Sequence, residues 1–399
     1  GGVNLTLHPA RIVQFCQKNM LLKGNECHPF GDGSGGFIDA EGCVGIFIKP
    51  LKDAMRAGDN IYGVIKGTAI NSGGRSKGYT VPNPGRQSEV IVKAIKNSGI
   101  DPRTISYVEA HGTGTVIGDP IEVEGLKKAY QTYTSDKQFC AIGSLKGNIG
   151  HLIAAAGLAG VVKVLLQFTH KKLAPSIHSA TLNPNIDFGA TPFYVQHELA
   201  EWGRPRIMID GVQNTMPRRA GVSSFGAGGA NAHVILEECD GGDESPVSVK
   251  DVFPEIFVLS AKNKERLRAY AESLSAYLGK DKHDFSKRVT RIAYTLQVGR
   301  EAMDERLAIV ASNPTELLRN LEIYLQQSGV GTESIFLSGS HDAHDAIARL
   351  FTEEGGRAYI ATALRNRDLK LIAQLWVSGV AVDWHELHSA AKPRRISLP

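Results

Sequence analysis

Two histidines and one lysine in glycine-rich turns are the residues of this chain best suited to chemistry. His111 precedes Gly-Thr-Gly-Thr, and His151 closes the stretch Gly-Ser-Leu-Lys-Gly-Asn-Ile-Gly-His that starts at Gly143. Glycines let backbone N–H groups approach a ligand closely, and small neighbours leave room for one. Two neutral imidazoles could donate hydrogen bonds to one oxygen and stabilise a developing enolate, supported by the Lys146 ammonium. The alternative is that both turns are purely structural.

Each of these turns is predicted to lie after a strand. Residues 105–110 have the pattern of a strand that delivers His111, and the apolar run 139–142 predicts a buried strand before the Lys146 turn. The Ala-rich run 152–168 predicts the helix that follows. In open α/β sheets ligands bind beyond the carboxyl ends of strands, which is where both turns are expected. The repeated strand–turn–helix units predict a layered α/β fold.

The segment Asp119-Pro-Ile-Glu122 carries the pattern of a helix start. Asp favours the N-cap, Pro favours the first helical position, and Glu three residues after the cap completes a capping box. The sequence therefore predicts a helix that is capped by Asp119 and extends to Tyr130.

A glycine cluster near the start of the chain formally matches a nucleotide-binding pattern. Gly31, Gly33 and Gly36 fit GxGxxG. That fingerprint requires a strand before it and a helix after it, whereas residues 37–49 have the pattern of a strand. A turn between two elements is the preferred interpretation, and no cofactor is expected to bind.

The composition is that of a packed globular protein without a strong charge bias. Of 399 residues 42% are hydrophobic, and 45 basic against 41 acidic residues give a formal charge of +4, which does not favour nucleic-acid binding. The most apolar window is interrupted by Lys163 and is too short for a bilayer span. No secretory signal is seen, so a cytoplasmic protein without a membrane segment is expected. Five irregularly spaced cysteines without a CxxC pair predict buried free thiols, with no metal site and no disulfide.

Length and pattern predict two domains. Residues 1–238 contain the strand–turn–helix units and both histidine turns. Residues 239–251 are acidic and contain Gly, Ser and Pro, which predicts a connecting segment. Residues 252–399 alternate strand-like and helical runs and end in a basic tail, which predicts a second, small α/β domain.

Three motifs of the first region, in this order, resemble those of ketosynthase domains from modular (type I) polyketide synthases. They are Val108-Glu-Ala-His-Gly-Thr-Gly-Thr, Gly143-Ser-Leu-Lys-Gly-Asn-Ile-Gly-His and Gly221-Val-Ser-Ser-Phe-Gly-Ala-Gly-Gly-Ala-Asn-Ala-His. The second region resembles the linker that follows such ketosynthases, through Ile292-Ala-Tyr-Thr-Leu-Gln-Val-Gly-Arg and Arg394-Arg-Ile-Ser-Leu-Pro. With Gly78-Tyr-Thr-Val-Pro-Asn-Pro, the chain is similar to the trans-acyltransferase type, whose modules lack a built-in acyltransferase.

This resemblance implies a fold and an activity. The fold would be the downstream portion of a thiolase-like layered αβαβα domain, followed by a small α/β linker domain, in a homodimeric ketosynthase. The activity would be decarboxylative Claisen condensation of an acyl thioester with a malonyl unit. Both substrates would be carried on the phosphopantetheine of acyl carrier protein, and the acyl chain would be transferred to a cysteine. The resemblance adds a separate acyltransferase as a partner.

The resemblance also implies roles for individual residues. His111 and His151 would stabilise the enolate formed on decarboxylation, and Lys146 would support them. Four further residues match positions around the substrates. Thr113 and Thr115 match contacts of the phosphopantetheine arm, and Phe225 and Ala227 match a mobile loop beside the nucleophile, with the Ala227 N–H as an oxyanion donor.

The chain lacks the nucleophilic cysteine motif of the family. The Thr-Ala-Cys-Ser-Ser-type motif of relatives precedes the matched region, and none of the five cysteines has that context. An isolated half would expose sheet edges and core surface. The sequence therefore predicts an upstream ketosynthase half that supplies the nucleophile, either as a separate chain or as another part of the same protein.

A second departure concerns the charge near Lys146. Relatives usually have Ser and Glu where this chain has Gly147 and Ile153. Because an unpaired buried lysine is costly, another acid should balance Lys146, and Glu109 is the proposed substitute.

Two alternatives to chain elongation stay open at this point. One is a non-elongating ketosynthase that only transfers the acyl chain. The other is a non-catalytic piece that docks a carrier protein or an acyltransferase. The intact His111 favours elongation.

Overall fold

The computed structural model describes residues 1–33, 35–74, 78, 81–209, 211–239, 254–280, 288–326, 332–339, 349–389 and 392–399. The chain divides into two compact units, Gly1–Lys49 with Ile61–Asp240 and Pro50–Asn60 with Gly241–Pro399. The segment Pro50–Asn60, which the sequence placed in the first domain, groups with the second unit. Of the predicted connecting segment 239–251, all but residue 239 lies outside the described residues.

Helices and strands alternate along both units. The helices of four or more residues among the described residues are α1 (Ala10–Gln17), α2 (Leu51–Arg56), α3 (Pro84–Ser98), α4 (Gly118–Gln131), α5 (Lys146–Ile149), α6 (Ala156–His170), α7 (Lys264–Lys280), α8 (Val289–Val298), α9 (Pro314–Gln326), α10 (Glu354–Arg365), α11 (Leu369–Val377) and α12 (Trp384–Leu387). The strands are β1 (Gly2–Asn4), β2 (Gly42–Val44), β3 (Val64–Ser72), β4 (Tyr107–Glu109), β5 (Cys140–Gly143), β6 (Lys172–Leu173), β7 (Phe193–Val195), β8 (Ala200–Glu201), β9 (Arg206–Ile209), β10 (Val212–Thr215), β11 (Arg219–Phe225), β12 (Ala230–Glu237), β13 (Glu255–Ala261), β14 (Glu305–Ala311) and β15 (Ile335–Leu337).

The first unit is built on a six-stranded mixed sheet in the order β3-β12-β11-β4-β5-β7. Strands β3, β12 and β11 pair antiparallel, whereas β11, β4, β5 and β7 pair parallel. Because β4 and β5 are parallel neighbours, the turns that follow them lie at the same edge of the sheet. This arrangement confirms the prediction of a layered α/β fold.

Both faces of this sheet are covered. Tyr107 and Val108 are successive residues of β4, and they point to opposite faces because side chains alternate along a strand. Tyr107 packs in the cluster that contains Val164 and Phe168 of α6. Val108 packs in the cluster that contains residues of α3 and α4, among them Ile91. Around β4 the sheet is therefore enclosed between helical layers, and this strand is buried on both sides.

Helix α4 differs from its prediction at the N-terminus. It begins at Gly118 after Ile117, so Asp119 lies inside the first turn and is not the N-cap. The Asp119 carboxylate instead accepts hydrogen bonds from the backbone N–H groups of Phe30, at 2.8 Å, and Gly114, at 3.2 Å. The predicted capping box was wrong because these tertiary donors outcompete the local ones.

One helical stretch, 153–170, is long and apolar enough to cross a membrane by length and composition alone, so the expectation that this window is too short was wrong. In the structure this stretch is a short 3₁₀ turn, Ile153–Ala155, followed by α6. Helix α6 packs against β11 and β4 of the sheet, and it carries Lys163 in a buried ion pair with Glu109. It is a core helix of the first unit.

The second unit is a small α/β fold, as predicted. Its antiparallel sheet has the order β13-β14-β15, with helices α7, α8, α9 and α11 packed against it. One core contains Phe257 and Leu307 from the sheet and Leu321 and Trp376 from the helices.

Candidate active site

The two histidines singled out from the sequence lie side by side. The ring centroids of His111 and His151 are 5.3 Å apart, with the rings inclined by 80°. His111 follows the end of β4 by two residues, and the Lys146–His151 segment follows β5. The two rings are in edge-to-face contact, so the imidazoles predicted to act together are neighbours in the structure.

The His111 turn is held by a carboxylate that the sequence assigned only to a helix cap. The two oxygens of Glu122 accept hydrogen bonds from the N–H groups of His111 and Gly112, each at 2.7 Å. A Cβ on Gly112, which has φ +34°, would lie 2.7 Å from the Ser144 side chain. Because that backbone conformation and that spacing both exclude a side chain, glycine is required there.

His151 is fixed in one orientation and one tautomer. Its backbone N–H donates to the carbonyl of Ile38 at 2.7 Å, and its ring packs on Phe37 with centroids 5.0 Å apart. The ring Nδ1 accepts a hydrogen bond from the Ile153 N–H at 3.0 Å, so Nε2 carries the proton and is the donor. Ile153 has φ +43°, a strained conformation for a β-branched residue, which supports that hydrogen bond.

Lys146 joins the two turns. Its buried ammonium donates a hydrogen bond to the carbonyl oxygen of His111. Burial lowers the pKa of Lys146, whereas the carboxylates of Glu109 and Glu122 raise it. Burial and the Lys146 charge lower the pKa of His111 well below its usual range, and they lower the pKa of His151 to about 3. Both imidazoles are therefore neutral at physiological pH.

The two threonines predicted to contact the phosphopantetheine arm lie together in the turn after β4. The hydroxyl oxygens of Thr113 and Thr115 are 3.2 Å apart, and that of Thr115 accepts from the Gly118 N–H at 3.1 Å. Both side chains are half-buried, so each presents surface to solvent. The two hydroxyls thus lie in the same turn as His111, and among the described residues no hydrogen bond joins them to either histidine ring.

The predicted loop residues divide between the site and its surroundings. The Phe225 ring lies 6.0 Å from the His111 ring, at the end of β11. Ala227 lies exposed in the turn between β11 and β12. Within the described part of the chain, no hydrogen bond joins Ala227 to either histidine. The structure thus brings Phe225 to the histidine pair, and the role of the Ala227 N–H stays a prediction.

Neither of the two buried cysteines, Cys27 and Cys140, has the environment of a nucleophile. Cys27 is the one beside the site, where its thiol donates to the Thr113 carbonyl at 3.4 Å. Burial raises the pKa of Cys27 to about 11, whereas an activated cysteine has a lowered pKa. Cys140 is buried inside β5 and its pKa is raised well above the usual range by burial. All five thiols are free, but the prediction that they are buried was wrong for Cys16 and Cys43, which are exposed, and Cys239 is half-buried.

Comparison with known families identifies the first unit. Residues 1–54 match the N-terminal domain of β-ketoacyl synthases, and residues 62–180 match the C-terminal domain. This chain belongs to the β-ketoacyl synthase family. Residues 258–328 match the RhiE-like, KS-MAT linker domain, which agrees with the linker predicted for the second region.

The relatives of this ketosynthase chain are polyketide synthases. Polyketide synthases PksL and PksM of Bacillus subtilis (strain 168) are 48% and 49% identical to it, over 100% of this chain. The ketosynthase from module 6 of the bacillaene synthase of Bacillus subtilis 168 superposes with a TM-score of 0.84 at 40% identity. The oxazolomycin ketosynthase OzmH KS7 of Streptomyces albus JA3453 gives 0.80 at 36%. The thiolase-like fold is confirmed by these solved ketosynthases.

This ketosynthase chain spans only part of its relatives. It covers 9% of PksL and 9% of PksM. It covers 66% of the solved module 6 ketosynthase and 63% of OzmH KS7, while 100% of this chain is matched in both.

The sequence did not predict the ion pair that holds Glu109 beside the Lys146 turn. Glu109 was proposed as its counter-charge, but the ion pair between Glu109 and Lys163, at 2.7 Å, was not anticipated. Lys163 had been noted only as an interruption of an apolar helix. Charged residues are rarely buried unless paired, so a single Lys in an apolar helix and a single Glu in a buried strand were the available signal.

The lowered pKa of His151 predicts the protonation state that its ring keeps near neutral pH. Between pH 8 and pH 5 the His151 ring is expected to stay neutral with its proton on Nε2, because its pKa of about 3 lies below this range. Ring ¹⁵N chemical shifts measured through a pH titration would check this. A histidine in a model peptide titrates near pH 6.5, so a midpoint of His151 near that value would contradict the buried, neutral state.

Proposed function

We propose that this chain contributes His111, His151 and Lys146 to a ketosynthase that performs decarboxylative Claisen condensation. The substrates are an acyl thioester on cysteine and a malonyl unit on acyl carrier protein. The observation that carries the proposal is the pair of neutral imidazoles 5.3 Å apart, with the Nε2–H of His151 fixed as a donor.

The reaction needs these donors when charge develops. When the malonyl carboxylate leaves as CO₂, the bonding electron pair moves onto the thioester and forms an enolate. Hydrogen bonds from two neutral N–H groups stabilise the enolate oxygen without first protonating the carboxylate. The enolate carbon then attacks the acyl carbonyl on cysteine. The new carbon–carbon bond forms, the carbon–sulfur bond breaks, and the cysteine leaves as thiolate.

The nucleophilic cysteine is proposed to come from residues other than these 399. The raised pKa of Cys27 and its hydrogen bond to the Thr113 carbonyl are the opposite of what activation requires. This chain also covers only 66% and 63% of the two matched ketosynthases, so about a third of each has no counterpart here. The upstream ketosynthase half, as a separate chain or as part of the same protein, is therefore the first proposed partner.

The remaining partners follow from the same reaction. Acyl carrier protein would present both substrates on its phosphopantetheine, whose amide groups the hydroxyls of Thr113 and Thr115 would contact, and the chain itself would hold no cofactor. The Ala227 N–H is proposed as the oxyanion donor for the acyl thioester. The complete ketosynthase is proposed to be a cytoplasmic homodimer of the trans-acyltransferase type, supplied by a separate acyltransferase.

Reconstitution tests this function. The complete ketosynthase, with the cysteine-bearing half present, is loaded with an acyl thioester and given malonyl-carrier protein. The expected products are CO₂ and a β-ketoacyl chain that is two carbons longer than the loaded acyl group. Mass spectrometry measures the mass of the acyl chain before and after the reaction. Acyl transfer without extension would instead favour the non-elongating ketosynthase. No acylation at all would favour the docking function.

A further inference from the structure

Glu109 is the most completely bound carboxylate around the histidine pair. It ends β4 and is 2% exposed. One carboxylate oxygen accepts from the Tyr107 hydroxyl and from the Lys163 ammonium, each at 2.7 Å, and the other accepts from the Leu145 N–H at 2.7 Å. Three donors hold this side chain in one position.

The hydrogen bond from the Leu145 N–H connects Glu109 to the turn that contains Lys146. Leu145 directly precedes α5, whose first residue is Lys146. Glu109 and Lys146 also line one small cavity, together with Ser223. Its volume of about 10 Å³ is close to the space that one water molecule needs to bridge such polar groups. Glu109 therefore contacts the Lys146 turn through the Leu145 N–H, and its negative charge raises the pKa of Lys146.

Helix α6 packs closely against the Glu109 side chain. A Cβ on Gly160 would lie 3.0 Å from the Cγ of Glu109, so glycine allows the helix to approach this closely. One turn later the same helix supplies Lys163, and the short 3₁₀ turn before it supplies the Ile153 N–H that binds His151. The Glu109–Lys163 pair thus connects the strand that leads to His111 with the helix that follows His151.

The other carboxylates near Lys146 are poorer counter-charges. Both oxygens of Glu122 and both oxygens of Asp119 accept hydrogen bonds from backbone N–H groups, and within the described residues neither carboxylate accepts one from an ammonium. Burial raises the pKa of Glu122 to about 7 and that of Asp119 to about 6. Near neutral pH these groups carry less than a full negative charge. The titratable groups around Lys146 are Glu109 on β4, Asp119 and Glu122 on α4, Lys163 on α6, Cys27, His111 and His151.

We propose that Glu109, held by Lys163 and Tyr107, is the positioning residue that keeps Lys146 protonated and bound to the carbonyl oxygen of His111. It takes the part of a carboxylate that this chain lacks at Ile153. This inference rests on the proposed function, because Lys146 matters to catalysis only if the histidine pair stabilises an enolate.

The test is the pH profile of malonyl-dependent extension by the complete ketosynthase. In the wild type, deprotonation of Lys146 sets an alkaline limb, and Lys146→Met should remove that limb, which assigns it. Glu109→Gln should move the limb down by about one pH unit or more, because an opposite charge is lost and the Lys163 charge remains. Acyl loading of the cysteine should be unchanged. A purely structural role would lower the rate at every pH without moving the limb, and that result would overturn the proposal.

A second variant keeps the test valid if Glu109→Gln folds poorly. Glu109→Gln combined with Lys163→Met removes the Lys163 ammonium together with the carboxylate that pairs with it. The alkaline limb of this double variant should lie between the limbs of the wild type and the single variant.

Glu238→Gln is the matched control. This buried carboxylate is paired with Arg218 at 2.6 Å, at the end of β12 remote from the Phe225 turn, and its loss should leave the limb in place. An unshifted limb in the double variant overturns the positioning role, whereas absent extension in the wild type overturns the proposed function itself.

Discussion

His111→Ala is expected to lower malonyl-dependent extension by the complete ketosynthase about 10²- to 10³-fold, the usual cost of removing one preorganised oxyanion donor. Loading of the acyl chain onto the cysteine should persist, because the imidazole is needed when the enolate forms and not before. The measurement is a pair of rates, acylation and CO₂ release, followed with the same loaded protein. A fall in CO₂ release alone places His111 in the decarboxylation step.

Two further variants define the role of His111. His170→Ala removes an exposed histidine at the end of α6 and should leave both rates unchanged. His111→Gln retains an N–H donor and should recover part of the lost rate. If extension survives in His111→Ala, the imidazole pair is not the enolate site and the proposed mechanism is wrong.

The site could be predicted from sequence where local pattern and topology coincide. His111 and His151 are 40 positions apart, yet parallel pairing of β4 with β5 places the turns after both strands at one edge of the sheet. Buried apolar strands and Gly-rich turns are visible in the sequence, and parallel strands end at a common edge. The proximity of the two rings follows from these features.

What the sequence did not predict depends on distant partners. Asp119 has the sequence context of an N-cap, but it binds the Phe30 N–H, which lies 89 positions away. Glu109 and Lys163 are 54 positions apart, and no single sequence motif contains both residues. Local propensity cannot distinguish a cap from a tertiary acceptor, because both use the same carboxylate. The segment Pro50–Asn60, whose Asp59 pairs with Arg395, is a further case of contacts that no local pattern encodes.

Lys163→Met is expected to destabilise the first unit by about 3–5 kcal/mol, because it leaves the Glu109 carboxylate buried without its cation. The two side chains of this pair are 7% and 3% exposed, so water cannot replace the lost ammonium. Denaturant unfolding of the complete protein measures the change through the midpoint of the transition. Lys163→Met combined with Glu109→Gln should recover most of the loss, since the amide oxygen still accepts from the Leu145 N–H and neither charge of the Glu109–Lys163 pair stays buried.

The matched control is an exposed pair in the same unit. Lys172 lies 3.4 Å from Glu201, with side chains 45% and 77% exposed, so Lys172→Met should cost only about 0–1 kcal/mol. Equal losses for Lys163→Met and Lys172→Met would mean that burial does not make the Glu109 pair special. A double variant as unstable as Lys163→Met would mean that packing of the lysine stem, and not the unpaired charge, is what α6 loses.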